Sequence, residues 1–392
     1  MNRLLDARTP LGPLPSIDGE ELIHRLDQWN VLGRGGAGFP LARKWRTVRD
    51  NGHGRAVVLA NGAEGEPLSR KDRTLMAQRP DLVIEGALLA ARAVRAEDII
   101  FYIGSEHRRA AETMRHALAQ RSELVVRRAR LVEAPAGYVT GEESAAVHYV
   151  NAGDARPTTT PPRPFERGVD GRPTLVQNVE SLAAAAMLAR GEDGATALVT
   201  ISGAVRRSGV QEIYLSATAG EVASAAGGLI KDAQAVLLGG YFGSWTRTGD
   251  VWNLPIEPNS LRARGLTLGC GVLSFLPAEA CGVETTAKIL SYLASQSARQ
   301  CGPCVFGLGA IAAASRRLAE RSPEAQDLAR LARWSGQIGG RGACKHPDGV
   351  AGLLRSALEV FADDYLAHQH RRCVAKPLPL RTTTQMPVGA VA

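Results

Sequence analysis

The cysteines of this chain are confined to its last third, and two of them form a Cys-x-x-Cys pair. Cys301 and Cys304 make up the pair, and Cys344 follows 40 residues later. Thiolates at such spacing bind zinc or iron–sulfur clusters, whereas a redox dithiol of this type begins a helix in a βαβ unit. Zinc would need a fourth soft ligand, for which His346 is a candidate. The helical sequence around the pair argues against the dithiol and leaves zinc and an iron–sulfur cluster open.

A glycine-rich stretch near the start of the chain has the composition of a phosphate-binding loop. Residues 33–38 read Gly-Arg-Gly-Gly-Ala-Gly, and Lys44 and Trp45 follow closely. Glycine lets the backbone approach a ligand, its N–H groups can converge on phosphate oxygens, and Lys44 adds a positive charge. The stretch matches neither the dinucleotide fingerprint nor the Walker loop, since Gly-Lys-Ser/Thr is missing. Taken alone, it is better explained as a simple tight loop.

Two further segments combine glycine with paired carboxylates. Residues 61–67 read Asn-Gly-Ala-Glu-Gly-Glu-Pro, and residues 137–144 read Gly-Tyr-Val-Thr-Gly-Glu-Glu-Ser. Each follows an expected strand, and open α/β sheets bind ligands at the carboxyl ends of their strands. Carboxylates there can accept hydrogen bonds from a ribityl chain, a ribose or a ring N–H, although a solvated loop explains either pair by itself.

The elements that must position these residues fall into three blocks. Apolar runs predict strands at 56–60, 99–103 and 124–126, alternating with helices at 82–94 and 106–121, and this alternation is typical of a parallel sheet. A β-rich module follows, with a hairpin over 197–203 and 209–215, a helix at 219–226 and a strand at 235–240. Helical periodicity at 286–297, 311–321, 324–334 and 349–367 predicts a bundle. We expect domains at 1–194, 195–278 and 279–371, and a disordered tail at 372–392.

Composition excludes several classes of protein. The 392 residues are 45% hydrophobic and 22% charged, which is ordinary for several globular domains. The net charge of +8 comes from scattered arginines, and aromatic residues are only 5%, so nucleic-acid binding is not expected. No apolar run is long enough to cross a membrane, and the first residues lack the apolar core of a signal peptide. We therefore expect a cytoplasmic protein without direct membrane insertion.

Together these motifs resemble a known family. The glycine stretch with Phe39 and Lys44, the two acidic segments, and residues 172–182 (Arg-Pro-Thr-Leu-Val-Gln-Asn-Val-Glu-Ser-Leu) occur in the order found in the NADH-binding flavoprotein subunit of respiratory complex I. The same module occurs in NAD-linked hydrogenases and formate dehydrogenases. The resemblance covers residues 32–368. It implies an α/β fold with an FMN-binding parallel-sheet domain, then a small β-grasp domain over about 197–277, and a C-terminal helix bundle carrying an iron–sulfur site.

The resemblance also implies which residues bind the cofactors. The family's FMN contacts fall on Gly33, Gly35, Lys44, Asn61, Glu64, Gly141, Glu142, Glu143, Asn178 and Ser181. Phe39, Glu66 and Glu143 would face the nicotinamide nucleotide, with Phe39 stacking on it. The glycines and Lys44 suit the FMN phosphate, and the two asparagines offer amide donors and acceptors to polar flavin edges.

Five positions depart from the family's pattern. Ala63 replaces an aspartate and Gln177 the first of two asparagines, while Thr160 and Arg163 replace a lysine and a stacking phenylalanine. Ala298 occupies the position of the first cluster cysteine.

The loss of that cysteine leaves the type of cluster open. Cys301, Cys304 and Cys344 remain as ligands, enough for a 3Fe-4S cluster or for a 4Fe-4S cluster with an exogenous ligand. Cys281 would complete the set if the loop before its helix folds back, and we expect Cys270 and Cys373 not to be ligands.

The resemblance implies a flavin-dependent electron-transfer subunit. Hydride from NAD(P)H would reach FMN, and electrons would leave singly through the cluster to a partner subunit with its own iron–sulfur centre. Such a subunit can be peripheral to a membrane complex. The alternative, favoured by the departures, is a scaffolding subunit that keeps the fold without NADH oxidation. Flavin and iron–sulfur absorbance of anaerobically purified protein would separate the two.

Overall fold

The fold is taken from a computed structural model, which describes residues 3–7, 11–121 and 128–375. The expected strand start at 124–126 and most of the expected tail, residues 376–392, lie outside the described residues.

The first domain is built on a four-stranded parallel sheet. Its strands are β1 (Ala56–Gly62), β2 (Ala96–Gly104), β3 (Arg130–Ala134) and β4 (Thr174–Asn178), in the spatial order β3-β2-β1-β4. The helices of this domain are α1 (Gly19–Gln28), α2 (Leu41–Gly52), α3 (Lys71–Gln78), α4 (Pro80–Val94), α5 (Arg108–Ala119), α6 (Glu143–Ala152) and α7 (Val179–Ala189).

Alternation along the strands covers both faces of this sheet with helices. Val58 and Ala60 of β1 point into the larger core with α2, α4 and α7, while Val57 and Leu59 point into a smaller core with α6. Strands buried on both faces read as continuous apolar runs, which is why β1 and β2 could be located from the sequence. Helix α4 begins with a proline at its first position and is buried along most of its length against α7.

The second domain is a five-stranded mixed sheet with a helix on it. The strands are β5 (Thr196–Gly203), β6 (Gly209–Tyr214), β7 (Ala233–Leu238), β8 (Ser244–Arg247) and β9 (Val272–Pro277), in the order β6-β5-β9-β7-β8. Strands β5 and β9 are parallel, and the other pairs are antiparallel. Helices α8 (Ala219–Ala225), α9 (Thr248–Val251) and α10 (Pro258–Ala263) accompany the sheet. This arrangement agrees with the expected β-grasp module.

The third domain is a helix bundle. It contains α11 (Gly282–Ser295), α12 (Leu308–Ala319), α13 (Asp327–Gln337), α14 (His346–Val360) and α15 (Ala362–Gln369), and a π-helical turn (Pro303–Gly307) leads into α12. The sequence predicted one helix over 349–367, but the structure breaks it at Phe361. The ring of Phe361 packs edge-on against Trp245, with centroids 5.3 Å apart, and also lies against Gly282. Packing of this ring between two other elements accounts for the break.

The expected domain boundaries remain predictions, but the start of the tail differs from expectation. Arg372 N donates to Ala367 O at 2.8 Å, and the side chains of Cys373 and Ala375 pack against the core of the bundle. Residues 372–375 are therefore part of the packed chain. Within the described ranges, no helix combines the length and apolar character that crossing a membrane requires.

Candidate functional site

The strand order of the first sheet creates one crevice where a ligand is expected. The chain moves from β1 to β2 and β3 on one side and then returns to place β4 on the other, so the order reverses between β1 and β4. Ligands of open α/β sheets bind outside the carboxyl ends of the strands at such a reversal. Asn61 and Asn178, the last residues to pair between β1 and β4, lie directly opposite each other there.

The two asparagines are fixed by their neighbours. Asn61 Nδ2 donates to Gly141 O at 2.8 Å, which connects the end of β1 to the second acidic segment. Asn178 caps α7 by accepting from Glu180 N at 3.0 Å, and its Nδ2 donates to Asp72 Oδ2 at 2.8 Å. The side-chain amides of Asn61 and Asn178, both predicted from the sequence, therefore lie at the crevice with their orientations fixed by hydrogen bonds.

The glycine loop, residues 33–38, lies against the start of α7. Arg34 N donates to Ser181 Oγ at 2.9 Å, and a Cβ on Gly35 would lie 3.3 Å from Asn178 Cβ. Gly36 and Gly38 have φ of +110° and +61°, which side chains with a Cβ rarely adopt. The loop is therefore folded over the crevice in a conformation that only its glycines allow.

A cavity of about 140 Å³ lies on the side of the loop that faces the β-grasp domain. It is lined by Leu32, Gly33, Arg34, Gly36, Ala37, Gly38, Lys71, Glu180, Leu198, Pro258, Arg262, Leu266, Thr267, Leu268, Gly269 and Gly271. The loop backbone therefore borders open space rather than packed side chains on this side.

The second acidic segment presents one paired and one capping carboxylate. Lys44 Nζ lies 2.8 Å from Glu143 Oε2, and both side chains are partly exposed. Glu142 caps α6, because its carboxylate accepts from Ser144 N at 2.9 Å and from Ala145 N at 3.1 Å. Burial raises the pKa of Glu142 despite these bonds. The sequence analysis did not predict that the Glu142 carboxylate caps the N-terminus of α6.

Close packing of the two acidic segments depends on glycine. A Cβ on Gly65 would lie 2.5 Å from Gly137 O, and one on Gly141 would lie 2.8 Å from Ala63 O. These distances are too short for any real Cβ, so the segments meet backbone to backbone at the sheet edge.

Beneath the site, a buried charge group joins the first acidic segment to the sheet and the β-grasp domain. Glu64 accepts from Ser69 Oγ at 2.5 Å and from the N–H groups of Asp72 and Arg73. Lys71 Nζ lies 2.6 Å from Asp72 Oδ1 and 2.8 Å from Glu180 Oε2. Glu64 therefore accepts from N–H groups in the first turn of α3, and the flavin contact that the resemblance implies for it stays a prediction.

Lys71 lies between two carboxylates, and Arg34 Nε is a second positive group 3.9 Å from Glu180 Oε1. Lys71 is fully buried, and although burial alone would lower its pKa, the two carboxylates raise it. Glu180 Oε1 also accepts from Leu198 N of β5 at 2.8 Å, so the set reaches the second domain. The role of this group is to fix the carboxyl ends of β1 and β4 relative to β5.

Glu66 is a buried carboxyl that contacts Tyr138 of the second acidic segment and the backbone of the β-grasp domain. Its carboxylate accepts from Tyr138 Oη at 3.0 Å and from Tyr241 N at 2.8 Å. Burial raises the pKa of Glu66 to about 7, and these hydrogen bonds only partly oppose that effect. Glu66 can therefore exchange a proton near neutral pH.

Sequence reasoning missed a group of rings between Glu66 and the helix bundle. Tyr138 packs edge-on against Phe242, Tyr292 and His346, with centroids 4.7, 6.1 and 5.7 Å away. Tyr241 packs against Tyr292 at 5.8 Å. We call these five rings the aromatic cluster. Tyr138 lies in an acidic segment that was recognised, but the spacing of the other four gives no local signal.

The positions that depart from the family's pattern differ in their surroundings. Gln177 is buried and accepts from Trp45 Nε1 at 3.3 Å, so it supports α2 from the sheet. Thr160 and Arg163 are exposed. Phe39 is 44% exposed, but the guanidinium of Arg43 lies over its ring at 5.6 Å from the centroid, so a stacking ligand must use the other face or displace Arg43.

Cys301 and Cys304 are hydrogen-bonded to each other before α12, and Cys344, which lies just before α14, is near enough to Cys304 to affect its pKa. Burial raises the pKa of Cys304 to about 12, with further contributions from Cys301 and Cys344. The pKa of Cys301 is lowered, because hydrogen bonds from Ala343 N, Cys304 N and the Cys304 thiol outweigh its burial. The lowered pKa marks Cys301 as the thiol most easily converted to the thiolate that a cluster needs.

Among the cysteines that the structure describes, none fills the missing corner of this group. Ala298 offers only a methyl group, and the neighbouring Ser297 hydroxyl is buried without a hydrogen-bond partner. Cys281, the suggested substitute, lies instead with His368 at a distance of 3.3 Å from Sγ to Nε2. The three remaining cysteines fit a cluster with an open corner, and the suggested role of Cys281 is not supported.

The parallel sheet with its strand-end loops, the β-grasp domain and the cysteine-bearing bundle define a flavin and iron–sulfur protein. The chain matches the Nuo51 FMN-binding domain over residues 26–187 and the NADH-ubiquinone oxidoreductase-F iron-sulfur binding region over residues 284–368. It belongs to the family of the NADH-quinone oxidoreductase F subunits, as its curated relatives show.

Two such relatives and one solved structure illustrate the similarity. The chain is 30% identical over 383 residues to the NADH-quinone oxidoreductase F 2 subunit of Rhizobium meliloti, covering 90% of each. It is also 30% identical to the NADH-quinone oxidoreductase F subunit of Escherichia coli, over 90% of this chain and 85% of that protein. An NAD⁺-reducing [NiFe]-hydrogenase in the H2-reduced state superposes with a TM-score of 0.81 at 27% identity. The superposition covers 90% of this chain and 63% of the hydrogenase chain.

Proposed function

We propose that the protein is an NADH-oxidising electron-transfer subunit that binds FMN at the reversal of its parallel sheet and an iron–sulfur cluster in its helix bundle. The observation that carries this proposal is the continuity between the two sites. Glu66, five residues after Asn61 in the loop that follows β1, accepts a hydrogen bond from Tyr138, and the Tyr138 ring packs against His346, two residues after Cys344. Side-chain contacts therefore join the loop after β1 to the helix bundle that carries the cysteines.

The flavin site has the parts that FMN requires. The glycine loop offers backbone N–H groups next to an open cavity, and Lys44, which does not line that cavity, offers a positive charge in the first turn of α2. In the protein without ligand, Glu143 neutralises Lys44, so a phosphate would replace that carboxylate as its partner. Asn61 and Asn178 would present amide groups to the polar edge of the flavin, while Gly141 and Ser181 hold their loops in place.

Phe39, Glu66 and Glu143 are proposed to contact the nicotinamide nucleotide. Phe39 exposes its ring beside the glycine loop, where it can stack on the ligand. Glu143 is released when Lys44 takes a phosphate, and it can then accept hydrogen bonds from a ribose. FMN, when bound, converts a hydride transfer into single-electron transfers. The protein's own contribution is to position the two nucleotides and to keep water away from the buried side of the crevice.

Cys301, Cys304 and Cys344 are proposed to hold the cluster, and Ala298 supplies no thiolate at the position of the family's first cluster cysteine. Three thiolates are one fewer than the usual complement, so one iron of a four-iron cluster would need an exchangeable ligand. The recipient of the electrons is proposed to be a partner subunit with its own iron–sulfur centre, on the cytoplasmic side of a membrane or free of it.

The test is an anaerobic reconstitution with FMN, iron and sulfide. We expect NADH to bleach the flavin band and then to reduce the cluster. In Ala298→Cys, a fourth thiolate should suppress the three-iron EPR signal that mild oxidation of the native protein produces. The proposal fails if the reconstituted protein binds neither cofactor, or if NADH and NADPH both leave bound flavin oxidised. A chain that takes up no cofactor would support a scaffolding subunit.

A further inference from the structure

Three metal-binding side chains meet at the opposite end of the helix bundle, outside the cofactor sites described above. Cys281, His368 and Cys373 each offer one ligand atom, and these atoms all lie within 4.8 Å of one another. Cys281 Sγ and His368 Nε2 are 3.3 Å apart. Among the residues that the structure describes, this is the one set of three such side chains with all ligand atoms so close. A single ion can therefore reach all three.

We infer that Cys281, His368 and Cys373 form a binding site for a zinc-like divalent cation. Two thiolates and an imidazole are a typical donor set for zinc, and hard cations such as Mg²⁺ and Ca²⁺ prefer oxygen ligands. Tetrahedral zinc with ordinary bond lengths holds its sulfur and nitrogen ligands about 3.5 to 3.8 Å apart. The present separations reach that range with movements of about 1 Å.

The imidazole is already oriented as a ligand. His368 is completely buried, and its Nδ1 lies 2.8 Å from Leu318 O. A carbonyl oxygen only accepts hydrogen bonds, so Nδ1 is the donor to Leu318 O, and Nε2 is the ring nitrogen that faces Cys281. Histidines that bind metal ions typically donate their other ring nitrogen to a carbonyl or carboxylate in this way.

The thiols of Cys281 and Cys373 lie in segments to which the proposed function assigns no role. Cys281 is the N-cap of α11, and its sulfur accepts from Glu284 N at 3.4 Å, which fixes the position of the sulfur. Cys373 follows α15 and is partly exposed, which leaves a path for the ion. In the metal-free protein burial raises the pKa of Cys281 to about 12, so metal binding must displace its proton.

The site would connect the two ends of the helical domain. Cys281 precedes its first helix, and His368 and Cys373 belong to the last helix and the chain after it. Crosslinks that close a long loop restrict the unfolded chain, so a bound ion should stabilise the bundle as a whole. A fourth position, on the exposed side near Cys373, is left to water.

The experiment measures zinc uptake by the full chain after reconstitution with FMN and the cluster, in the presence of a reductant. The protein receives one equivalent of Zn²⁺ against a competing chromophoric chelator, and retained zinc is measured by mass spectrometry. We expect one tightly held zinc per chain, and an affinity at least a hundredfold lower in Cys373→Ser and His368→Gln. Cys270→Ser, which removes a thiol outside the set, should retain the zinc.

Three outcomes would overturn the site. One is the absence of tight zinc binding to the native chain, and another is uptake that persists in Cys373→Ser but disappears in Cys344→Ser, which would place the ion at the cluster cysteines. The third is a Cys281–Cys373 disulfide in peptide maps of unreduced protein, with no zinc taken up after reduction. Because variants of buried residues can misfold, the native chain supplies an independent readout. Zinc should protect Cys281 and Cys373, but not Cys270, from alkylation, and equal labelling with and without zinc would contradict the inference.

Discussion

Lys44 and Glu143 are the charged pair with which a phosphate would compete in the flavin crevice. Their Nζ–Oε2 distance of 2.8 Å and partial exposure leave Lys44 free to change partners. The sequence predicted Lys44 from its position after the glycine stretch, and the resemblance predicted Glu143. Neither showed that the two residues bind each other, because one lies at the start of α2 and the other at the start of α6, 99 residues apart.

The first prediction concerns Lys44. Lys44→Ala should weaken FMN binding about ten- to a hundredfold, because a charged hydrogen bond to phosphate contributes about 1.5 to 3 kcal/mol. Arg46→Ala is the matched control, since Arg46 is on the same helix but pairs with the exposed Asp27. Fluorescence titration of the apoprotein with FMN measures both. Equal affinities for the two variants would remove Lys44 from the flavin site.

Glu142 needs a more careful variant. Its carboxylate caps α6, so Glu142→Gln weakens the helix N-terminus as well as any ligand contact. We expect lower FMN occupancy in Glu142→Gln, accompanied by a small loss of thermal stability. Flavin content and melting temperature, measured on the same preparations, separate the two effects. Full flavin retention would show that Glu142 acts on the helix alone.

Glu66 should make stability depend on pH. Its folded-state pKa is raised to about 7 from 4.5, so between these values the folded state binds more protons than the unfolded state. Stability therefore falls as pH rises from about 4.5 to 7, by about 1 to 3 kcal/mol for this group. Glu66→Gln should remove this contribution, so the variant should melt progressively higher relative to the native protein from pH 5 to pH 8. A difference in melting temperature that stays constant with pH would contradict this assignment.

Among the elements, α4 and α7 show how one glycine sets a helix contact. A Cβ on Gly86 would lie 2.1 Å from Leu182 O, closer than any real contact. The sequence predicted α4 from its apolar periodicity, but it gave no sign of α7 as its partner. Helix α7 is even more apolar than α4, yet the sequence analysis did not predict it, and only its first residues, 179–182, belong to the family motif.

The corresponding prediction compares two glycines in helices. Gly86→Ala should destabilise the protein by about 1 to 3 kcal/mol, because the two backbones must separate. Gly352→Ala in α14, where a Cβ meets nothing within 4 Å, should stabilise it by about 0.5 to 1 kcal/mol. Chemical denaturation of both variants tests the contrast. If Gly86→Ala is as stable as the native protein, the helices are not in the contact described.

Element boundaries and partners were the weakest part of the sequence prediction. Strands β1 and β2 were found because burial on both faces makes them continuously apolar, whereas β4 was missed because it is short and ends in Gln177 and Asn178. The break between α14 and α15 depends on contacts of Phe361 with Trp245 and Gly282, which are distant in sequence. The local pattern of apolar residues cannot predict contacts between residues so far apart in the sequence.

For the whole molecule, the separation of the two cofactor sites into different domains predicts separable defects. Cys344→Ser should lose iron and sulfide but retain FMN and its reduction by NADH, because the flavin crevice is formed by the first sheet. Transfer to an acceptor that requires the cluster should fall to background. Cys270→Ser, outside the cluster set, should keep its iron. Iron analysis and stopped-flow flavin absorbance measure these effects, and loss of FMN from Cys344→Ser would show that the sites are not independent.

The buried group of Lys71, Asp72 and Glu180 has a consequence for protein engineering. Glu180 receives a hydrogen bond from Leu198 of the β-grasp domain while it neutralises Lys71 of the first domain. Cutting the chain between these domains would open one side of a fully buried lysine and its carboxylates to water and remove a partner from each side. The flavin domain therefore cannot be moved into another protein by itself. A chimaera that contains this domain must also contain β5.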